Sequence, residues 1–422
     1  MGIGPALARM RADVAQNLRS ARFDRSEVAG SLGDLGTFLP LLVAMSVVNG
    51  LDFASSLLFA GVCSIATGLL FPIPLAVQPM KAIAAIAIAQ GLSSHEITAA
   101  GGIVSLVVLS LGLLGAIDLV QRLIPNPVVR GMQFALGITL LLKALSLVWG
   151  DSLVVGGLAA LFVALTINSR RIPVALVLFV AGTVFVAWTT PSVFDALQIG
   201  WTMPAFSPPA MDDVRRAFTT AALPQIPLTT LNSVVAVSAL SITLFPDRPA
   251  APRRVAVSVG FMNLIGMWWG AMPLCHGAGG LAGQYRFGAR TNGSILMLGV
   301  AKVALAIVGG ASLLPLCRAF PMGILGVMLA VSGIELASAA VRGLAWRRAA
   351  PALRMAWGTV LPWAVTVVLC LALQQLMLGV AAGAVTALIA RRMGGAVSVP
   401  RSPSPAPTPA PSTVEHPASC DR

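Results

Sequence analysis

Twice along this chain, an apolar run long enough to cross a bilayer gives way to a stretch that cannot continue as the same helix. The first is Phe71–Gln90, FPIPLAVQPMKAIAAIAIAQ, which presents three prolines and a lysine and then resumes as an Ala/Ile helix too short to span. The second is Ala271–Asn292, AMPLCHGAGGLAGQYRFGARTN, which is too rich in glycine and polar residues for an ordinary membrane helix. Lipid offers no partner to a free N–H or C=O, so irregular backbone survives at membrane depth only where it is buried in protein or lines a polar cavity. Two interrupted segments at corresponding places in two halves of a chain point to the binding site of a transporter.

Composition supports the membrane reading. With 57% hydrophobic and 10% charged residues over 422 positions, the chain has too few charges to cover a soluble surface. It reads as an all-α polytopic membrane protein whose surroundings are a lipid bilayer. The net charge of +13 fits basic loops on the cytoplasmic face, and no nucleic-acid partner is expected. The first thirty residues carry Arg9, Arg11, Arg19, Arg22 and Arg25 without a distinct apolar core or a small-residue cleavage site, so residues 1–30 read as a cytoplasmic segment and not as a secretory signal.

Apolar segments fall near 31–50, 52–70, 79–91, 97–118, 127–149, 152–168 and 172–190, and again near 222–245, 254–270, 277–288, 291–310, 319–340, 355–372 and 374–390. The third of each set is the short, broken one. This gives two repeats of seven, 31–190 and 222–392, joined by an extracytoplasmic linker over 191–221 and followed by a Pro/Ser-rich disordered tail over 393–422. An odd number of spans per repeat makes the second insert upside down relative to the first, an inverted 7+7 arrangement of fourteen segments.

Arginine placement agrees with both termini inside. The loops assigned to the cytoplasm hold Arg122, Arg170, Arg171, Arg248, Arg253, Arg254, Arg286, Arg290, Arg342, Arg347, Arg348, Arg354, Arg391 and Arg392, whereas outside lie Arg215, Arg216 and Arg318. Cys63, Cys275, Cys317, Cys370 and Cys420 show no metal-ligand spacing, and no GxSxG, HExxH or Walker A sequence occurs. Neither a metal, a cofactor nor an enzymatic activity is expected.

A short helix beginning within the membrane aims unpaired N–H groups at the cavity, with an effective charge of about +0.5. Two such ends contribute about +1, and Lys81 in the first turn of the third segment brings the local total to about +2, a match for a dianion. Gly277, Gly279 and Gly280 let backbone approach the ligand, and Gln78, His276 and Gln284 supply side-chain donors. Against this stand a snorkelling Lys81 and a Gly279-x-x-x-Gly283 pair that only packs helices. The eighth segment places Thr229 and Asn232 beyond Pro227, as further binding residues on an irregular helix. Asp34, among Gly33, Gly36 and Pro40, reads either as a coupling carboxylate or as a helix cap, and Glu335 and Asp118 read as interface or functional carboxylates.

The stretches GDLGTFLPLLVAM at 33–45, QPMKAIAAIAIA at 78–89, PQIPLTTLNSV at 224–234 and PLCHGAGGLAGQYRFGARTNGS at 273–294 resemble the molybdate transporter type 1 family, a relative of the sulfate permeases. The resemblance extends to about residue 392. It implies the fold shared by sulfate permeases and nucleobase/proton symporters, with a core domain of segments 1–4 and 8–11 and a gate domain of 5–7 and 12–14. It also implies import of a tetrahedral oxyanion, molybdate or sulfate, held between the third and tenth helices of a bacterial inner-membrane protein. Larger sulfate permeases carry a cytoplasmic regulatory domain after the last span, and its absence here favours molybdate. Gate-domain homodimers are compatible with the fold. The alternatives are a nucleobase/proton symporter of the same fold, disfavoured because Thr, Asn, Gly and Gln stand where acidic groups would bind a base, and an anion channel.

Overall fold

The computed structural model describes residues 3–117, 125–166, 169, 172–195, 200, 202–342, 359–372 and 376–392. Asp118, Arg122, Arg170, Arg171, Arg347, Arg348, Arg354 and the tail over 393–422 lie outside them.

The N-terminal stretch is helical: α1 covers Ile3–Ser20, and α2, Arg25–Leu32, starts from Asp24, whose carboxylate accepts from Ser26 N and Glu27 N. The first apolar segment therefore begins earlier than expected. It bends by 42° at Gly33–Asp34 before continuing as α3, Leu35–Asn49. There follow α4 (Phe53–Leu70), the strand β1 (Val77–Pro79), α5 (Lys81–Gln90), α6 (Ser94–Leu114), α7 (Asn126–Gly150), α8 (Leu153–Thr166) and α9 (Val174–Thr189). Several of these helix ends have a local cause. Asp52 caps α4, Ser93 and Glu96 form a reciprocal capping box on α6, and Gly91, at φ 68°, lets α5 stop after ten residues.

The second half opens with α10, Met211–Leu244, a long helix that widens to π geometry at Phe218–Ala222 and Thr229–Val235. The linker expected over 191–221 thus ends at Met211, where Asp212 and Asp213 favour a helix start and Asp213 accepts from Ala210 N. Pro224 and Pro227 lack the N–H that the regular ladder needs, which accounts for the widening around them. Next come α11 (Pro252–Gly266), β2 (Leu274–His276), α12 (Ala278–Arg286), α13 (Gly293–Ala319), α14 (Met322–Arg342), α15 (Leu361–Ala372) and α16 (Leu376–Arg392).

Six of these helices are long and apolar enough to cross a membrane, or seven with the bent α2–α3 pair, and the chain is a multi-pass integral membrane protein. Its most extensive helix pairings are α4 with α13, α6 with α11, and α7 with α14. Close backbone approach sustains two of them. A Cβ on Gly61 would stand 2.8 Å from Gly299 O, and one on Gly137 would stand 2.7 Å from Gly333 O. Small residues at such crossings allow dense packing where apolar lipid supplies no hydrophobic drive between helices.

The structure corrects the all-α expectation at one place. β1 and β2 pair antiparallel, Val77 opposite His276, Gln78 opposite Cys275 and Pro79 opposite Leu274. Both strands are fully buried, so their backbone groups have to find partners within the protein, and the two unwound stretches supply them to each other. Met80 N extends the ladder by donating to Pro273 O at 2.9 Å.

Candidate functional site

The strand pair sets the start of α5 beside the start of α12. At ten and nine residues these helices are about 15 Å long or less, half of a bilayer's hydrocarbon thickness. The half-buried Lys81 reaches across the gap, and a Cβ built on Gly279 would have Lys81 Nζ, at 3.7 Å, as its neighbour. Gly279 itself is exposed. A cation and an open first turn thus share one space between the two broken segments.

The glycines of α12 divide by role. Gly283 packs: its Cβ would stand 2.7 Å from Gly33 O, against the bend between α2 and α3. Gly279 does not pack in that way. Of the two readings of Gly279-x-x-x-Gly283, close helix packing holds for Gly283 alone. Gly277 and Gly280 make room for Gln78, since a Cβ on Gly277 would overlap its Oε1 and one on Gly280 would lie 2.7 Å from its Nε2. The Gln78 side chain is 1% exposed and its Oε1 finds no hydrogen-bond partner among the described residues.

On α5 the N–H groups expected to face an anion are in part engaged. Gln225 Oε1, from α10, accepts from Ala82 N at 2.9 Å and Ile83 N at 3.1 Å, and Gln225 Nε2 donates to Thr229 Oγ1 at 2.8 Å. Thr229 therefore orients the cap on α5. Asn232 lies one turn on, half-buried in the widened stretch of α10.

His276 is fully buried with both ring nitrogens engaged, Nδ1 with Ala76 O at 3.0 Å and Nε2 with Ser258 Oγ at 3.1 Å. In this geometry it ties β2 to the chain before β1 and to α11. Gln284 Oε1 accepts from Ser294 Oγ at 2.8 Å, and its buried Nε2 has no partner among the described residues.

Asp34 is 0% exposed, and its side chain makes no cap hydrogen bond to α3. Its Oδ2 stands 3.9 Å from the Nζ of Lys302, a 4%-exposed residue of α13 whose ammonium also lies 3.7 Å from the Phe38 ring centroid. Neither carboxylate oxygen nor the ammonium has a hydrogen bond among the described residues. Gln78, through a long polar side-chain contact, and Lys81, through its charge, both act on Asp34, so this ion pair adjoins the gap between the short helices. The cap reading of Asp34 gives way to a buried ion pair. Glu335, on α14, accepts from Thr37 Oγ1 of α3 at 3.1 Å.

Sequence reasoning missed three of these groups. Lys302 carried a usable signal as a lone cation in the apolar run of α13. Gln225 and the buried Glu27, which accepts from Arg290 N and Thr291 N ahead of α13, are legible only once chain segments far apart in sequence meet.

The family described as "Molybdate transporter of MFS superfamily" matches residues 26–140 and 217–336, which include both broken segments. Molybdate transporter 2 of Arabidopsis thaliana is 41% identical over 364 residues, 74% of this chain and 78% of that one. The chain belongs to the molybdate transporter family. Molybdate transporter 1 of Chlamydomonas reinhardtii is 36% identical over 436 residues, covering 75% of this chain and 84% of its own. Among solved structures, the transmembrane domain of a cyanobacterium bicarbonate transporter, BicA, shares the fold with a TM-score of 0.60 at 16% identity, over 86% of this chain and 97% of that one. The murine Solute Carrier 26 family member A9 anion transporter, in its inward-facing state, gives 0.64 at 16% identity over 90% and 71%. The protein is accordingly a transporter of the anion-transporter fold and not an enzyme.

Proposed function

We propose that this protein carries a tetrahedral oxyanion, molybdate first and sulfate second, across the membrane by alternating access. The observation that carries this reading is Lys81 Nζ over the open Gly279 turn, between the starts of two half-length helices. An anion seated there meets Lys81, the α12 N-terminus directly, and the field of α5 behind the Gln225 cap, a total of about +2. Asp34 and Lys302 cancel, leaving that balance unchanged. Water-free burial of a dianion without such compensation costs on the order of tens of kcal/mol.

The helix pairings support fourteen segments as an inverted 7+7 repeat. Exchanging corresponding segments of the two halves turns the α4–α13 pair into α11–α6, and returns α7–α14 and β1–β2 to themselves. A core of α2–α6 and α10–α13 then moves against a gate of α7–α9 and α14–α16, with Thr37–Glu335 among the bonds that bridge them. The arginine asymmetry supports cytoplasmic termini. Asp34, paired with Lys302 beside the site, is the coupling group in this scheme.

Tracer molybdate uptake into proteoliposomes, with tungstate, sulfate and uracil as competitors, tests the reading. Saturable accumulation that tungstate and sulfate inhibit and uracil does not is the expected result. Inhibition by uracil moves the protein to the nucleobase symporters, and flux that only runs down a gradient makes it a channel.

A further inference from the structure

A concave crevice of about 940 Å³ opens on the outer side of the helix bundle, well separated in character from the polar gap at Lys81. Val62 and Ala66 of α4 form one wall and Phe261 and Ile265 of α11 the other, while Met10 of α1 lies at one end. At that same end stand Arg253 and Arg254, which open α11, and Asp13 of α1. From Arg254 to Ile265 the helix advances about 16 Å, the depth of one bilayer leaflet.

The charge at the mouth favours an anion. Arg254 Nη2 donates to Leu70 O at 3.0 Å and lies 3.6 Å from Asp13, and Arg253 Nη2 donates to Leu113 O at 3.1 Å. A guanidinium has five N–H donors, so each arginine keeps donors for a phosphate after those bonds. With one carboxylate against two guanidinium groups, the mouth holds a net positive charge.

We propose that this crevice binds one anionic phospholipid, with its phosphate on Arg253 and Arg254 and an acyl chain along α11 between Phe261 and Val62. The bound lipid acts on the transport core through the crevice's back wall. Ser258 and Phe71 line that wall, and both hold His276: Ser258 Oγ by its hydrogen bond and Phe71 by an edge-on ring contact at 5.8 Å between centroids. Filling the crevice fixes the wall against which β2 rests.

The test uses the full chain, purified in detergent and exposed to phosphatidylglycerol or phosphatidylcholine, with retained lipid read by native mass spectrometry and thermal stability read in parallel. The wild type is expected to retain one phosphatidylglycerol about tenfold more readily than phosphatidylcholine, which offers the same phosphate but whose choline ammonium is repelled by the two arginines. Arg253→Gln with Arg254→Gln removes the preference, Arg253→Lys with Arg254→Lys retains most of it, and Ala66→Trp, which fills the crevice and leaves the arginines in place, removes retention of both lipids. Equal retention of the two lipids by the wild type overturns the proposal, as does unchanged retention in Ala66→Trp. If inorganic phosphate alone stabilises the protein as much as phosphatidylglycerol does, the mouth is an ion site and the lipid assignment fails.

Discussion

The two broken segments reach the same place by opposite means. The first is interrupted by Pro72, Pro74 and Pro79, brings a cation at Lys81, and has two of its N–H groups taken by Gln225. The second is interrupted by Pro273 and then by glycines, brings no cation in its first turn, and leaves Gly279 open while Gly277 and Gly280 house Gln78. One half supplies charge and the other supplies space. The proposed inverted repeat needs symmetry only in its backbone, and under that proposal the difference in side chains would let a single ligand be held from two unlike sides.

The largest effect on this division comes from removing the charge. Lys81→Ala is expected to weaken oxyanion binding by about 2–5 kcal/mol, on the order of thirtyfold or more in apparent affinity, measured by uptake kinetics. Lys81→Arg keeps the charge with a different shape and recovers part of the loss. Wild-type affinity in Lys81→Ala would transfer the whole anion contact to the glycine side and end the comparison.

Removing the space distinguishes Gly279 from Gly283, four residues apart on one helix. A side chain at 279 meets Lys81 Nζ and otherwise ligand space, so Gly279→Val is expected to express as folded protein without binding. A side chain at 283 meets the Gly33 carbonyl at 2.7 Å, so Gly283→Val is expected to lose folded protein, as judged by size-exclusion behaviour in detergent. Overpacking of this kind costs about 1–3 kcal/mol, more where the neighbour is backbone. The opposite pattern would make Gly279 the packing residue.

Asp34 and Lys302 sharpen the comparison from behind, since one comes from each half. Breaking a buried pair by neutralising one partner costs about 3–5 kcal/mol, and replacing both by apolar groups of similar size costs far less. Asp34→Leu or Lys302→Met alone is therefore expected to lower thermal stability, with the double substitution recovering most of it. Asp34→Asn is expected to bind oxyanion, accumulate it poorly against a gradient and lose the pH dependence of uptake. Wild-type accumulation in Asp34→Asn would leave the pair a structural brace.

Much of this is legible in the sequence. Proline and glycine placement located the short helices near 79–91 and 277–288, and they stand at Lys81–Gln90 and Ala278–Arg286. The antiparallel pairing of Val77–Pro79 with Leu274–His276 was not legible, because three-residue strands carry no periodicity and their partner lies about two hundred residues away. His276 reads in the sequence as a ligand donor from its place in the broken segment. Which way an imidazole faces depends on Ala76 and Ser258, and no local pattern reports them. Asp34 reads as either cap or coupling group for the same reason: its partner, Lys302, lies far away in sequence.

The smallest expected effect concerns the cap that makes the two helix starts unequal. Gln225 holds Ala82 N and Ile83 N, and Thr229 holds Gln225. Removing a side chain that caps a helix start costs about 0.5–2 kcal/mol. Gln225→Leu therefore leaves α5 slightly less stable, yet it also frees two N–H donors beside Lys81 for the anion. These effects oppose each other, and the second acts only when ligand is present. Thermal stability without ligand is expected to fall by a few degrees, while added molybdate restores more stability to Gln225→Leu than to the wild type. Thr229→Val, which leaves Gln225 in place but frees its amide to turn, is expected to show the same two signs at smaller size. If molybdate stabilises Gln225→Leu less than it does the wild type, the glutamine is itself a ligand contact, and α10 shares with Lys81 in holding the anion.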